Sequence, residues 1–258
     1  MAQTRRIFLA RTATALSAAL AIPRFAAAAE SESIKIIHFF ARKKGMTPEQ
    51  FVEYWLKVHG PMTLKVPGRF SGYVLADAVG VPADAPPDAI IGVSESFSPD
   101  AAARLQTMSS PQAKALVADQ DNFIGKSRSF TTHEHVFVAR TPKDGVIKRV
   151  LITVRKAGIS HQDFVDHWLK AYGPMAGSVP GLDGFVLSEI TGPANDADVL
   201  ALSGEIDGIA EEWWNGDGAP QPSPALQKWN AEADKFIDRE KSILLVVRDH
   251  TLIPPHYG

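Results

Sequence analysis

The chain has 258 residues, 45% of them hydrophobic and 22% charged, with 27 Lys and Arg against 29 Asp and Glu. That is the profile of a soluble globular protein, and the lack of any basic run to neutralise phosphates argues against a nucleic-acid partner. No cysteine is present, which excludes disulfides, thiolate nucleophiles, iron–sulfur clusters and cysteine-held zinc.

The N-terminal stretch TRRIFLARTATALSAALAIPRFAAAAE carries Arg5-Arg6 followed by Phe8-Leu9, an alanine-rich apolar run, and small residues from Ala26 to Ala29. It resembles a twin-arginine export signal over residues 1–29, with an A-x-A-like cleavage pattern. Arg11 and Arg24 interrupt the apolar run, which is too short for a membrane span. Loss of this segment removes four arginines and no acid, leaving 23 basic against 29 acidic residues and a formal charge of −6. The expectation is a periplasmic or secreted protein, free of the membrane after cleavage.

The rest of the chain is written twice. FVEYWLKVHGPM at 51–62 returns as FVDHWLKAYGPM at 164–175. Gly45 matches Gly158, Trp55 matches Trp168, Val66-Pro67-Gly68 matches Val179-Pro180-Gly181, and ADQDNFI matches AEADKFI, pairing Asp121 with Asp234. The repeats span residues 34–139 and 147–256, joined near RTPKDG, where proline, glycine and charge cluster.

Within one repeat, IKIIHFFAR is a short β-rich run and reads as a strand. Thr47, Pro48 and Gln50 supply an N-cap, a first-turn proline and a capping-box partner. Ser160 and Asp163 do so less fully in the second copy. Phe51, Trp55, Val58, His59 and Met62 recur at helical spacing and predict the buried face. Gly60-Pro61 predicts the helix end. GYVLADAV and AIIGVSESF read as strands, SPQAKALVADQDNFIG as a second helix, and HEHVFVAR as a fourth strand. The order β-α-β-β-α-β is the ferredoxin-like pattern. IKIIHFFA and RVLITV are apolar on both faces, so both faces must be covered. The predicted fold is therefore α+β: two ferredoxin-like βαββαβ repeats packed sheet to sheet as an intrachain pseudo-dimeric α/β barrel, with a ligand expected between the sheets.

The W-L-x-x-H-G-P helix end, together with the aspartate-bearing ADQDNFI, resembles the EthD-domain proteins of the dimeric α/β-barrel superfamily. The resemblance covers both halves, and DGIAEEWW strengthens it in the second. The departure is Tyr172, where the family pattern has histidine; Tyr54 has likewise become His167. The superfamily includes isomerases, cofactor-free monooxygenases, cyclases, lyases and haem-handling relatives. It implies a fold firmly and a reaction only broadly.

His59 is the leading acid–base candidate, on the inward helix face and near neutral pKa. A histidine at a helix end can also be held simply by the macrodipole. His38, in the first strand, has Leu151 as its counterpart and shares a face with Ile36 and Phe40. Tyr73, whose counterpart is Phe185, could donate a hydrogen bond into a cavity. Asp121 could support His59, although its recurrence as Asp234 suits a structural job. His133 and His135 share one strand face, and with His38 at the same level they would form a three-imidazole metal site. No phosphate loop or Rossmann glycine pattern occurs. The expectation is a small-molecule enzyme using His59, His38, Tyr73 and Asp121, with no cofactor favoured. A metal or haem enzyme using His38, His133 and His135, or a binding protein for a hydrophobic ligand, are the alternatives. Pairing of two chains into a homodimer is left open.

Overall fold

A computed structural model describes residues 29–30, 33–67, 70–139, 145–193, 206–216 and 218–255. The twin-arginine-like segment 1–28 and most of the connector, 140–144, lie outside the described residues. In chain order the elements are β1 (Ala29–Glu30), β2 (Ile34–Arg42), α1 (Pro48–Tyr54), α2 (Gly60–Thr63), β3 (Gly72–Ala78), β4 (Ile90–Ser98), α3 (Ala101–Ser109), α4 (Pro111–Asp119) and β5 (Ile124–Val138). The second repeat follows as β6 (Ile147–Thr153), α5 (His161–His167), α6 (Gly173–Met175), β7 (Leu182–Pro193), β8 (Gly208–Trp214), α7 (Pro224–Phe236) and β9 (Ile243–Ile253).

Each repeat forms a four-stranded antiparallel sheet, ordered β5-β2-β4-β3 in the first and β9-β6-β8-β7 in the second. The two sheets also join at both edges, β3 to β9 and β5 to β7, and close an eight-stranded barrel. Closure leaves these strands with no free edge. β5 is longer than expected because it serves both sheets. Its residues 124–132 pair with β2, and its residues 130–138 pair with β7.

The strand alternation explains why β2 is apolar on both faces. Ile37, Phe39 and Ala41 pack inside the barrel with Val93, Val150, Ile152 and Val247 from both repeats. Phe40 points the other way, into a layer with Phe51, Trp55, Tyr73, Leu75 and Phe123 beneath the helices. The second repeat has the same layer, built on Phe164, Trp168, Tyr172, Phe185, Trp229 and Phe236. The expectation of a ligand space between the sheets is corrected here. An eight-stranded barrel is just wide enough for its own side chains, and these fill it.

One end of that interior is ionic. Lys35 and Lys148, both fully buried, occupy equivalent positions in the two repeats. Lys35 meets Glu134 at 2.8 Å, Glu95 at 3.0 Å, and Glu211. Lys148 meets Glu211 at 2.9 Å, Asp249 at 3.2 Å, and Glu95. Burial opposes the charge on each lysine, but the surrounding carboxylates outweigh it and raise both ammonium pKa values. Burial also pushes Glu95 upward, yet Lys148 and Lys35 hold it below the usual carboxylate range. Glu211, hydrogen-bonded to Glu95, goes the other way: burial and the Glu95 charge push it up to about 7. Of these two adjacent carboxylates, Glu211 is therefore the one that takes up a proton first as pH falls.

The helices follow their caps. Thr47 accepts from Gln50 N–H and Gln50 returns the bond, a complete capping box; Ser160 caps α5 by accepting from Asp163 N–H. The helix does not stop at Gly60-Pro61. A π-helical turn over Trp55–His59 links α1 to α2, with Gly60 N–H bonding Trp55 O, and Trp168–Tyr172 repeats it. The wider turn lets the proline ring pass without ending the helix. It also shifts the helical phase, so Trp55 and His59 are buried while Val58 is 45% exposed. A second difference from the sequence reading is α3, an additional helix in the first repeat, N-capped by Asp100. Each tryptophan lies on a strand glycine: a Cβ on Gly92 would come within 2.6 Å of Trp55, and Gly208 is overlaid by Trp168 in the same way.

Lys148→Met strands buried carboxylates and is expected to cost about 3–5 kcal/mol in denaturant-measured stability. Glu211→Gln is expected to be far milder. Glu211 binds its proton more tightly folded than unfolded, so its contribution is complete below its ordinary value of 4.5 and is lost as pH rises through about 7. The Glu211→Gln variant should therefore gain on the wild type between about pH 5 and about pH 8.

Candidate functional site

In the first repeat the π-turn delivers His59 into the helix–sheet layer, 2% exposed, with its ring 4.8 Å from Phe123. Its Nδ1 lies 2.9 Å from Asp119 Oδ2, at the end of α4. Tyr54, one turn earlier on α1, donates to Asp119 Oδ1 at 2.7 Å, and Asn122 donates to the same oxygen at 2.9 Å. Burial raises the Asp119 pKa, but the bonds from Tyr54, His59 and Asn122 win and hold it low. The ionised carboxylate assigns the proton to Nδ1 of His59 and leaves Nε2 with its lone pair. Burial lowers the His59 pKa and Asp119 only partly restores it, so the ring is neutral at neutral pH. A neutral imidazole oriented by a carboxylate is a competent general base. A surface groove of about 540 Å³ beside α1 is lined by Tyr54 and Asn122, the two residues that hold Asp119.

The predicted partner of His59 is corrected by this geometry. Asp121 is exposed on the turn after α4, and its backbone carbonyl accepts from Lys43 at 2.7 Å. Asp234 repeats that bond with Lys156. The recurrence of the two aspartates is thus structural. Asp119 recurs as Glu232, which the sequence reading passed over because the acid changes length between copies.

The exchange of Tyr54 and His59 for His167 and Tyr172 also acquires a reason. In the second repeat His167 Nε2 lies 3.0 Å from Glu232. Each repeat therefore keeps an imidazole–carboxylate pair but places the imidazole on opposite sides of the acid. Tyr172 is buried, stacks on Trp229 at 5.0 Å, and has its pKa raised by burial and by Glu212.

His38 faces the helices, as Ile36 and Phe40 do. Its Nδ1 is 2.6 Å from Ser129 Oγ, and its ring stacks on Phe40. Burial and nearby Arg104 lower its pKa to about 3, so it stays neutral. Tyr73 is buried on the same face. Burial raises its pKa, while Thr63, Ser94 and Arg104 pull it back. Arg104, on α3, bonds Ser96 at 3.3 Å, and burial lowers its own pKa. The three-imidazole site does not form. His38 pairs in register with Ser129, four residues short of His133 along β5. His133 and His135 lie instead beside Glu189 of β7, with ligand atoms all within 4.8 Å of one another.

The second repeat holds a space of its own. A cavity of about 560 Å³ lies between its sheet and α7, walled by Tyr172, Trp214, Trp229 and Leu226, with Arg149, Glu212 and Arg239 also lining it. Burial raises the Glu212 pKa, and Arg149 and Trp214 partly offset this; Trp214 Nε1 donates to it at 3.0 Å. In the first repeat Phe40 stands where Thr153 stands here, and it packs against Trp55. No histidine lines the cavity, so its donor set does not suit haem: the remaining axial candidate, Tyr172, is kept protonated.

Residues 43–127 match the EthD domain. The match lies within the first repeat and contains Tyr54, His59 and Asp119. The fold is shared with a candidate monooxygenase from Lactobacillus acidophilus NCFM, at TM-score 0.55 and 13% identity over 88% of this chain and 97% of that one. A candidate monooxygenase from Fusobacterium nucleatum subsp. nucleatum ATCC 25586 is similar at TM-score 0.58 and 11% identity, covering 88% and 95%. An anthrone oxidase-like protein follows at TM-score 0.55 and 12% identity, covering 87% and 94%. At these identities the likeness is one of fold, the dimeric α/β barrel. Among curated proteins no sequence match is found.

Long-range proton–nitrogen NMR should show His59 as the Nδ1–H tautomer, titrating below 6.5. Asp119→Asn removes the charge that favours imidazolium, so its midpoint should fall further.

Proposed function

We propose that the protein is an enzyme that moves a proton on a small cyclic or aromatic organic molecule, in lyase- or isomerase-type chemistry. The observation that carries this reading is the Tyr54–Asp119–His59 hydrogen-bonded chain, with His59 buried at its end, inside the EthD-matched segment. His59 Nε2 would take the substrate proton. Asp119 would hold the tautomer and stabilise the imidazolium, and Tyr54 would hold Asp119. Neutral His38 and Tyr73, with the Arg104 guanidinium, in the same helix–sheet layer, would supply hydrogen bonds to a developing enolate or phenolate oxygen. The fold neighbours described as monooxygenases and as anthrone oxidase-like are compatible with a small organic substrate. The Arg5-Arg6 segment supports export through the twin-arginine route to the periplasm, and the matching strand order supports extending the EthD reading to the second repeat.

The second-repeat cavity favours a further reading, a binding protein. Its aromatic walls would retain a planar, hydrophobic ligand without turning it over, since Arg149 and Arg239 are already paired with Glu212 and Asp234. Native mass spectrometry of protein from its own host would then show a retained small molecule that Trp229→Ala releases.

The enzymatic reading is tested by NMR in heavy water, following deuterium uptake into a panel of cyclic ketones, lactones and phenols. Wild type should accelerate exchange on at least one, and His59→Ala should lower the rate by about 10²–10⁴ with the fold intact. Unchanged exchange in His59→Ala removes His59 from the mechanism. Loss in Glu212→Gln instead moves the chemistry to the second-repeat cavity.

A further inference from the structure

The barrel has two seams where the repeats join, and they are related by the internal repeat. At the β3–β9 seam, His250 and Asp77 are in direct contact, their Nε2 and Oδ1 atoms 2.5 Å apart. At the β5–β7 seam, the equivalent His135 Nε2 and Glu189 Oε2 are 3.1 Å apart. An imidazole–carboxylate pair is thus common to both seams and needs no ligand to explain it.

The seams differ at the residue in register with the acid. Opposite Asp77 stands Arg248, a permanent cation. Opposite Glu189 stands His133. With the acid also one methylene longer, that exchange turns a seam with a built-in positive charge into a cluster of two imidazoles and one carboxylate. The His133 and His135 rings are 4.8 Å apart, and one donor atom from each of His133, His135 and Glu189 fits within 4.8 Å. Glu189 is 29% exposed at its side chain and His135 9%, so the cluster opens to solvent on one side. The pairing carries a register shift between Thr131 and Thr132, next to His133. Such irregularities re-aim strand side chains.

We infer that His133, His135 and Glu189 bind one divalent first-row transition-metal ion, zinc or a chemical neighbour, with water in the remaining positions. Two imidazoles and a carboxylate on one side of the ion form a facial set that leaves the solvent side open. Donors at about 2.0–2.2 Å from a common centre sit closer together than these atoms do, so binding draws the side chains inward by small rotations. The ion supplies at this seam the positive charge that Arg248 supplies at the other. The site lies on the outer face of β5 and β7. It is separate from His59 and independent of the acid–base reading.

The test uses the full chain without a histidine tag, stripped with chelator and titrated with Co²⁺ by visible absorption, then with Zn²⁺ in competition. One equivalent of saturable Co²⁺ binding displaced by Zn²⁺ is expected. His133→Ala and His135→Ala should each weaken it by about 100-fold or more, Glu189→Gln by about 10-fold or more. His250→Ala, at the other seam, should leave it unchanged. His133→Arg copies that seam and should abolish binding while preserving the fold, which covers the case in which an alanine variant misfolds. Absence of saturable binding in the wild type, or equal binding in the His133→Arg protein, overturns the inference.

Discussion

The closed barrel depends on a buried ionic lattice. Lys35 of the first repeat reaches Glu211 of the second, and Lys148 of the second reaches Glu95 of the first. Each sheet alone offers its lysine two carboxylates, Glu95 and Glu134 in the first repeat and Glu211 and Asp249 in the second. Shared between two sheets, each ammonium finds three carboxylates, and a proton on Glu211 reduces the excess of negative charge. Such a lattice is costly to desolvate and adds little net stability over an apolar core. Its geometric demand is strict, however. It is satisfied only when the two sheets meet in one register, so it favours a single closure over a slipped one. Because the lattice and the apolar plug beside it occupy the interior, any ligand is confined to the layers between sheets and helices, or to the outer surface.

Within those layers the two repeats have kept their framework and exchanged their chemistry. The framework is a capped helix, a π-turn admitting a proline, and a tryptophan laid on a strand glycine. All of it recurs. On that framework the imidazole moves from one side of the helix-borne acid to the other, and α3 has no counterpart among the described residues of the second repeat. The outcome is a Tyr54–Asp119–His59 hydrogen-bonded chain in one half and an aromatic cavity in the other. The outer seams follow the same rule: a shared imidazole–carboxylate pair, with Arg248 on one side and His133 on the other. An internal duplication thus acts as its own control, separating what packing requires from what it permits.

Much of this was legible in the residues. The repeat, the strand order, the caps at Thr47 and Ser160, and the two-sided burial of β2 follow from local pattern, because periodicity of 2 and 3.6 reports which faces are covered. His59 was legible as the residue that packing does not need. Gly60-Pro61 reads as a helix end because a π-turn is invisible to a 3.6-residue template. Asp119 is hard to single out because it recurs as Glu232, one methylene longer. The lattice went unnoticed although its sign was present: a lysine and an acid at matching places in four apolar strands, Lys35 with Lys148 and Glu95 with Glu211.

The sequence by itself determined the duplicated ferredoxin-like topology and the inventory of groups able to hold or move protons. Those properties are local, written in spacing along the chain. Tertiary structure alone decided which groups meet. It brought Asp119 to His59 across 60 residues, set Glu189 beside His133, kept His38 apart from both, and filled the space between the sheets. Such pairings depend on strand register and barrel closure, and those are settled by side chains from opposite repeats that no local pattern relates.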